Sequence, residues 1–255
     1  MPFYYFLRSE RSLISVVLPV YNEREALNDI YLSLSNVMRA LDEPYEMIFV
    51  DDGSTDGSAA ILADIGTVDT QVRVVKFDRN YGQSSAIQAG LDHAAGNVLV
   101  TLDADLENDP GDIPLLIEKL QSGFDVVCGN RDSRPRNRKT RCSILGNSLY
   151  RVLFNSPVHD MACTLRAYRK TALDDLVLRG TMHRCLPVLL SHNGVRITEI
   201  PVAFTPRQTG FSKYGVFNRI PSFMRDTLLL MFFRNRVMGN RKRRYRIEDM
   251  DESSR

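Results

Sequence analysis

Residues 13–20 (LISVVLPV) form an unbroken apolar, β-branched run that closes on Pro19 and Val20. A strand with one wet face would alternate apolar and polar residues. A continuous run instead marks a strand buried on both sides, which requires a sheet with helices on both faces. The rest of the chain obeys that constraint. Apolar residues recur with helical period over 24–41, at Ala26, Leu27, Ile30, Leu34, Val37, Met38 and Leu41. Strand-like runs at 45–50, 72–77, 97–102 and 125–129 then alternate with helical segments near 57–65, 84–95 and 112–122. Alternation with short connections predicts one α/β domain built on a mostly parallel, doubly wound sheet.

Ligands of such sheets bind beyond the carboxyl ends of the strands. Those ends carry Asp51-Asp52, Asp78-Arg79-Asn80, Asp103-Ala104-Asp105 and Gly129-Asn130-Arg131, so acidic and polar groups converge on one rim. Past residue 130 the pattern loosens. Residues 131–141 hold six basic residues and one acid, which reads as a loop. A helix near 143–154, a strand at 164–168, a helix at 183–192 and a strand at 195–204 follow, with a final amphipathic stretch over 216–233.

Composition narrows the function classes. With 44% hydrophobic residues among 255, the chain can fill a core, which excludes wholesale disorder. Lys and Arg number 33 against 31 Asp and Glu, a balance unlike that of a general nucleic-acid binder. No apolar run approaches the roughly 18 residues of a membrane span, and the N-terminus lacks the basic segment and cleavage site of a signal peptide. Cys128, Cys142, Cys163 and Cys185 form no C-x-x-C pair, and their spacing fits buried, reduced thiols better than zinc or disulfides. The net charge of +2 conceals a segregation. Residues 234–246 carry +7, residues 247–255 carry −3, and the remaining body is mildly acidic.

The sharpest chemical signal is Asp103-Ala104-Asp105-Leu106-Glu107, directly after the apolar strand 97–102. If the strand continued, alternate residues would point the same way and aim three carboxylates at one place. Such a group calls for a hard divalent cation, and Mg²⁺ or Mn²⁺ would keep positions open for phosphate oxygens. A solvated acidic turn would use the same residues. The second signal is the Asp51–Gly57 turn beside Pro19-Val20-Tyr21-Asn22-Glu23, whose acidic ends can accept from a base or ribose. Neither G-x-G-x-x-G nor G-x-x-x-x-G-K-[ST] occurs, so dinucleotide and P-loop sites lack their phosphate cradles.

Taken together, PVYNE (19–23), DDGSTDGS (51–58), NYGQSSAIQAGL (80–91) and DADLENDP (103–110) resemble the family 2 glycosyltransferases of GT-A fold. GNR (129–131), DMACTLRAYRK (160–170), MHRCLPVLL (182–190) and PRQTGFSKYG (206–215) are similar to the polyprenyl-phosphate branch, which includes dolichyl-phosphate mannose synthases and undecaprenyl-phosphate sugar transferases. The resemblance implies inverting transfer of a sugar from GDP-mannose or a UDP-sugar to dolichyl or undecaprenyl phosphate, on the cytoplasmic face of a membrane. It implies Mg²⁺ or Mn²⁺ at Asp103, Asp105 and Glu107, although many relatives have Gln at the third position. Asp51 and Asp52 would face the base, with Pro19, Tyr21 and Glu23 lining the nucleoside and Asn80 and Gln83 nearby on the donor side. Arg131 and Arg141 would hold the acceptor phosphate, Arg207 and Lys213 would close over the phosphates, and Asp160 is the residue most like a base. A small membrane subunit or a homo-oligomer is a possible partner by the same resemblance.

The domain organisation expected is a catalytic domain over 1–214, an amphipathic interfacial helix over 215–235 and a disordered basic-then-acidic tail over 236–255. A basic flank beside an apolar face reads as an anchor to an anionic surface. Bacterial members of the branch continue into two transmembrane helices where this chain turns basic. Two other readings fit the residues: a GT-A glycosyltransferase acting on a soluble or surface saccharide, and a non-catalytic nucleotide-sugar-binding protein.

Overall fold

The computed structural model describes residues 12–131, 148, 151–153, 156–174, 176–178, 180–191, 194–206 and 247–250. Strand β1 (Ile14–Val20) lies near the middle of a mixed sheet. On one side it pairs parallel with β2 (Tyr45–Asp51), which pairs parallel with β3 (Val72–Phe77). On the other it pairs parallel with β4 (Val98–Thr101). Beyond β4 come β6 (Arg166–Arg169), β5 (Val126–Asn130) and β7 (Ile197–Pro201), and β8 (Ile247–Met250) closes the far edge against β3. The expected α/β class, mostly parallel with helices on both faces, is what the chain adopts.

The alternation of side chains along β1 explains the unbroken apolar run. Ile14, Val16, Leu18 and Val20 enter a core shared with α1 (Leu27–Ala40), α2 (Ser58–Val68) and α4 (Ile113–Gln121). Val17 enters the opposite core, shared with α3 (Gln83–His93) and the segment around Leu176–Leu190. β2 divides in the same way, Met47 and Phe49 to one side and Ile48 and Val50 to the other. Neither strand has a face to give to water.

Two features position the site. The chain runs from β1 outward to β3 and then crosses back to β4, so the winding direction reverses beside β1. In open α/β sheets that reversal leaves a crevice at the carboxyl ends. Second, β6 inserts antiparallel between β4 and β5, with Thr101 opposite Arg166 and Cys128 opposite Arg166. An antiparallel strand can be entered from the same edge its neighbour leaves, with no crossover helix. The chain from the end of β5 to the start of β6 therefore begins and ends on the ligand rim. Sequence periodicity places a strand at 164–168 but does not give its direction.

Element bounds differ in modest ways from expectation. The segment read as one helix over 183–192 is a 3₁₀ turn (Met182–Cys185) continued by a short helix (Leu186–Ser191). The strand expected over 195–204 stops at Pro201, with Phe204 making only an isolated bridge to Asn108. Residues 247–250, read from sequence as part of a disordered tail, pair antiparallel with β3. An otherwise open strand edge offers unpaired backbone groups, and covering it satisfies them. The helix expected near 143–154 falls mostly outside the described residues, and the amphipathic stretch 216–233 falls wholly outside them. Among the described residues no helix is long and apolar enough to cross a membrane.

α3 sits unusually close to β1 because Gly90 faces it: a Cβ there would collide with Val17 Cγ1 and lie 3.2 Å from Val17 Cβ. Gly90→Ala should therefore lower stability by about 1–3 kcal/mol through overpacking, although Ala is the better helix former. Thermal unfolding checks this. An unchanged or raised midpoint would show that the helix can move away.

Candidate active site

The rim is built by three loops stitched together through polar contacts. After β1, Asn22 adopts a left-handed conformation (φ 55°). Its N–H donates to Ser54 Oγ at 2.9 Å, and its Oδ1 accepts from Thr55 N–H at 2.7 Å. Glu23 N–H donates to Ser58 Oγ and Arg24 N–H to Asp56. The β1 and β2 loops therefore move as one unit, with Pro19 in register with Val50 and Tyr21 exposed at its lip. Sequence reading grouped Pro19, Tyr21 and Glu23 with Asp51 and Asp52, and the structure brings them together. It did not single out Asn22, whose short side chain tolerates the left-handed turn.

Asp51 and Asp52 are both buried, yet they differ in what they meet. Asp52 is fully engaged: it accepts from Tyr81 N–H at 2.6 Å, Gly82 N–H at 2.9 Å and Asn80 Nδ2 at 3.1 Å. It thus holds the loop that leads into α3. Burial pushes its carboxyl up to about 6; the Tyr81 and Gly82 N–H groups oppose that shift, and the neighbouring Asp51 adds to it. Asp51 accepts from Ser54 N–H at 3.0 Å through Oδ1, while its Oδ2 is buried with no hydrogen-bond partner among the described residues. Of the two carboxylates expected at the base, Asp51 keeps an acceptor to offer and Asp52 is spent on the fold.

Asp103 follows β4. Its Oδ1 accepts from Gln83 Nε2 at 2.7 Å, which draws the first turn of α3 onto the rim. Burial, then the charge of Asp105, push its carboxyl up to about 7, while Thr164 and Arg131 pull the other way. A cation would relieve that strain directly. The strand-like continuation expected through Glu107 does not occur. β4 ends at Thr101, and Leu106 takes a left-handed φ of 59°. Glu107 turns toward Arg131, with Oε2 3.7 Å from NH1. Among the described residues no three acidic, His or Cys side chains gather closely enough to hold a metal on their own. A cation here would need ligands from its substrate, as Mg²⁺ commonly does with phosphates.

Arg131 and Asp160 meet in a buried, two-pronged ion pair. Nε lies 2.9 Å from Oδ2 and NH2 3.3 Å from Oδ1, and the two side chains are 7% and 2% exposed. Glu199 braces this corner by accepting from His159 N–H and Asp160 N–H. The geometry gives Asp160 a task other than the general base expected from sequence. Both of its oxygens face a guanidinium, so it fixes Arg131 rather than waiting for a proton. Arg131 in turn is not an open fork for an acceptor phosphate; NH1, beside Glu107, is its site-facing nitrogen. Arg141, Arg207 and Lys213 lie outside the described residues.

Sequence reading also missed the layer beneath Asp103. Ser84, His183 and Arg166 are each buried and joined by hydrogen bonds. Arg166 was detectable, since a charged residue inside the run CTLRAY must be buried if that run is a strand.

Comparison with known proteins agrees with this arrangement. Residues 15–177 match the model of the family described as Glycosyl transferase family 2. The chain is 37% identical over 216 residues to the undecaprenyl-phosphate 4-deoxy-4-formamido-L-arabinose transferases of Salmonella choleraesuis and Salmonella typhimurium. The match covers 84% of this chain and 65% of each relative, so the chain spans about two thirds of their length. In structure it is similar to glucosyl-3-phosphoglycerate synthase of Mycobacterium tuberculosis, solved with Mn²⁺, UDP and glucosyl-3-phosphoglycerate. That likeness has a TM-score of 0.66 at 19% identity and covers 88% of this chain and 80% of the other. The same synthase with Mg²⁺ and UDP gives a TM-score of 0.64 at 18% identity.

The Asp52 environment predicts a pH signature. A carboxyl whose folded-state pKa is raised is favoured in its protonated form, so its contribution to stability is largest below about 3.8 and is lost as pH climbs through about 6. Asp52→Asn should therefore flatten the fall in unfolding midpoint between pH 4 and 6.5. A variant whose curve runs parallel to wild type would show that Asp52 is not desolvated.

Proposed function

The chain belongs to glycosyl transferase family 2, and on that premise we propose that it moves a sugar from a nucleoside-diphosphate donor to a polyprenyl phosphate with inversion at the anomeric carbon. The observation that carries this reading is a pair of under-satisfied carboxylates, Asp51 and Asp103, on the two strands flanking β1. Asp51 Oδ2 suits a base N–H or a ribose hydroxyl, and Asp103 suits the charge that accompanies a diphosphate. The acceptor class rests on the 37% identity to the undecaprenyl-phosphate transferases.

The residues fit a Mg²⁺ or Mn²⁺ ion. Asp103 and Asp105 would hold it, with Glu107 available only if it leaves Arg131. When bound, such an ion supplies positive charge that offsets the developing charge of the leaving nucleoside diphosphate. The chain's own groups do the rest. The β1 and β2 loops orient the nucleoside through Asp51, Pro19, Tyr21 and Glu23. Gln83 keeps Asp103 turned toward the rim, and Asp52 with Asn80 holds the loop before it.

A lipid phosphate oxygen is already anionic, so its attack on the anomeric carbon needs no strong base. As the new C–O bond forms, the bond to the donor phosphate breaks and its electron pair leaves with the nucleoside diphosphate. The barrier that remains is repulsion between two anions, and arginines suit its relief. Arg131 contributes through NH1, exchanging its 3.7 Å contact with Glu107 for a phosphate oxygen. Arg141, Arg207 and Lys213 are proposed for the remaining acceptor and donor phosphates. Work on a lipid acceptor places the protein at a membrane surface, where the basic segment 234–246 would favour anionic lipid by about 1 kcal/mol per residue.

Transfer from a panel of UDP- and GDP-sugars to undecaprenyl or dolichyl phosphate in detergent, with Mn²⁺, tests the proposal. Wild type should yield a lipid-linked sugar, Asp105→Ala should abolish it, and Asp103→Asn should slow it at least about 100-fold, as loss of a charge-stabilising group does. Transfer to a free saccharide with no dependence on lipid phosphate, or full activity in both variants, would overturn it.

A further inference from the structure

Arg166 lies on β6 with its side chain in the interior, 3% exposed. No carboxylate among the described residues is within ion-pair distance of it. Burying a guanidinium without a counter-ion is costly, so the groups it does meet bear on its purpose. NH1 donates to His183 O at 2.8 Å and NH2 to Met161 O at 2.7 Å, while Nε has no partner among the described residues. These two carbonyls belong to two separate segments, and each segment leads to Asp103.

Along the first route, His183 N–H donates to Ser84 Oγ at 3.2 Å, and His183 Nδ1 pairs with the same oxygen at 2.8 Å. Ser84 is in the first turn of α3, next to Gln83, whose Nε2 reaches Asp103 Oδ1 at 2.7 Å. Along the second, Met161 begins the stretch that carries Thr164. Thr164 O accepts from Thr101 Oγ1 at 2.7 Å, and its hydroxyl lies beside the Asp103 carboxyl. A cavity of about 10 Å³, lined by Thr101, Thr164, Arg166, Tyr168 and His183, separates the two routes. That is room for one water, which would satisfy Nε.

We propose that Arg166 is a positioning residue for Asp103: its buried guanidinium ties together the two segments whose side chains orient that carboxylate. The inference rests on the donor-site reading above. One cation with a planar fork reaches both carbonyls, which a Lys ammonium on a single flexible stem cannot do with the same geometry. The charge is placed where a carboxylate partner would have been drawn away from the rim.

The test measures Mn²⁺ binding by electron paramagnetic resonance titration in the presence of UDP or GDP, whichever the wild type binds, alongside thermal unfolding. Arg166→Lys and Ser84→Ala, which cut the network at two points, should each weaken Mn²⁺ binding about 10-fold or more, and Arg166→Lys should lower kcat while leaving the donor KM within about twofold. Leu186→Ala serves as the control, because it enlarges the same cavity without touching either route. It should lower the unfolding midpoint but leave Mn²⁺ binding unchanged. If Arg166→Lys fails to fold, Ser84→Ala decides. Unchanged Mn²⁺ binding in Ser84→Ala, or equal weakening in Leu186→Ala, overturns the positioning role. A wild type that binds neither nucleotide with Mn²⁺ overturns the donor-site reading instead.

Discussion

Negative charge gathered on a dry rim is the constraint around which the rest of this molecule is arranged. Asp51, Asp52, Asp103 and Asp160 all sit at or near the carboxyl edge of the sheet, where water is too scarce to solvate them fully. The fold answers each one differently. Asp52 receives backbone N–H groups from Tyr81 and Gly82, which are thereby held at the entry to α3. Asp160 receives the fork of Arg131. Asp51 and Asp103 receive less than they can accept. The two that are satisfied shape the rim, and the two that are not define where a ligand with N–H donors and a cation would bind.

This division also separates positioning from chemistry on the acceptor side. Arg131 looks from sequence like an open phosphate clamp, and in the structure it is committed at one edge to Asp160 and touches Glu107 at the other. A cation held in that way has a fixed direction before any anion arrives, and less freedom is lost when one does. The lower tier repeats the principle, with Arg166 anchoring backbone rather than a carboxylate. Cations behind the rim set geometry, and carboxylates on it keep spare capacity.

How much of this was legible in the sequence follows from what sequence patterns encode. The unbroken apolar runs of β1 and β2 specify a sheet covered on both faces, and the strand ends place Asp51, Asp52 and Asp103 on one rim. These are consequences of period and burial, which are local. The direction of β6 is not local, and with it comes the long rim-side excursion that delivers Asp160 and Thr164. Nor does spacing say which of two adjacent aspartates is used up by its neighbours. The alternation assumed for Asp103, Asp105 and Glu107 failed at Leu106, where a left-handed residue breaks the strand period that the argument needed. Arg141, Arg207 and Lys213 belong to segments outside the described residues and stand on family resemblance.

The central claim is that the rim's unmet acceptor capacity is completed jointly by a nucleoside diphosphate and a divalent cation. Thermodynamic linkage makes that claim quantitative, because two ligands that complete one site must raise each other's affinity by the same factor. Calorimetric titration of the wild-type chain with UDP and GDP, each with and without saturating Mn²⁺, measures it directly. The account predicts that one of the two nucleotides binds at least about 10-fold more tightly with Mn²⁺ present, and that Mn²⁺ binding tightens by the same factor when that nucleotide is present. Equal affinity with and without the cation, or no binding of either nucleotide, would contradict it.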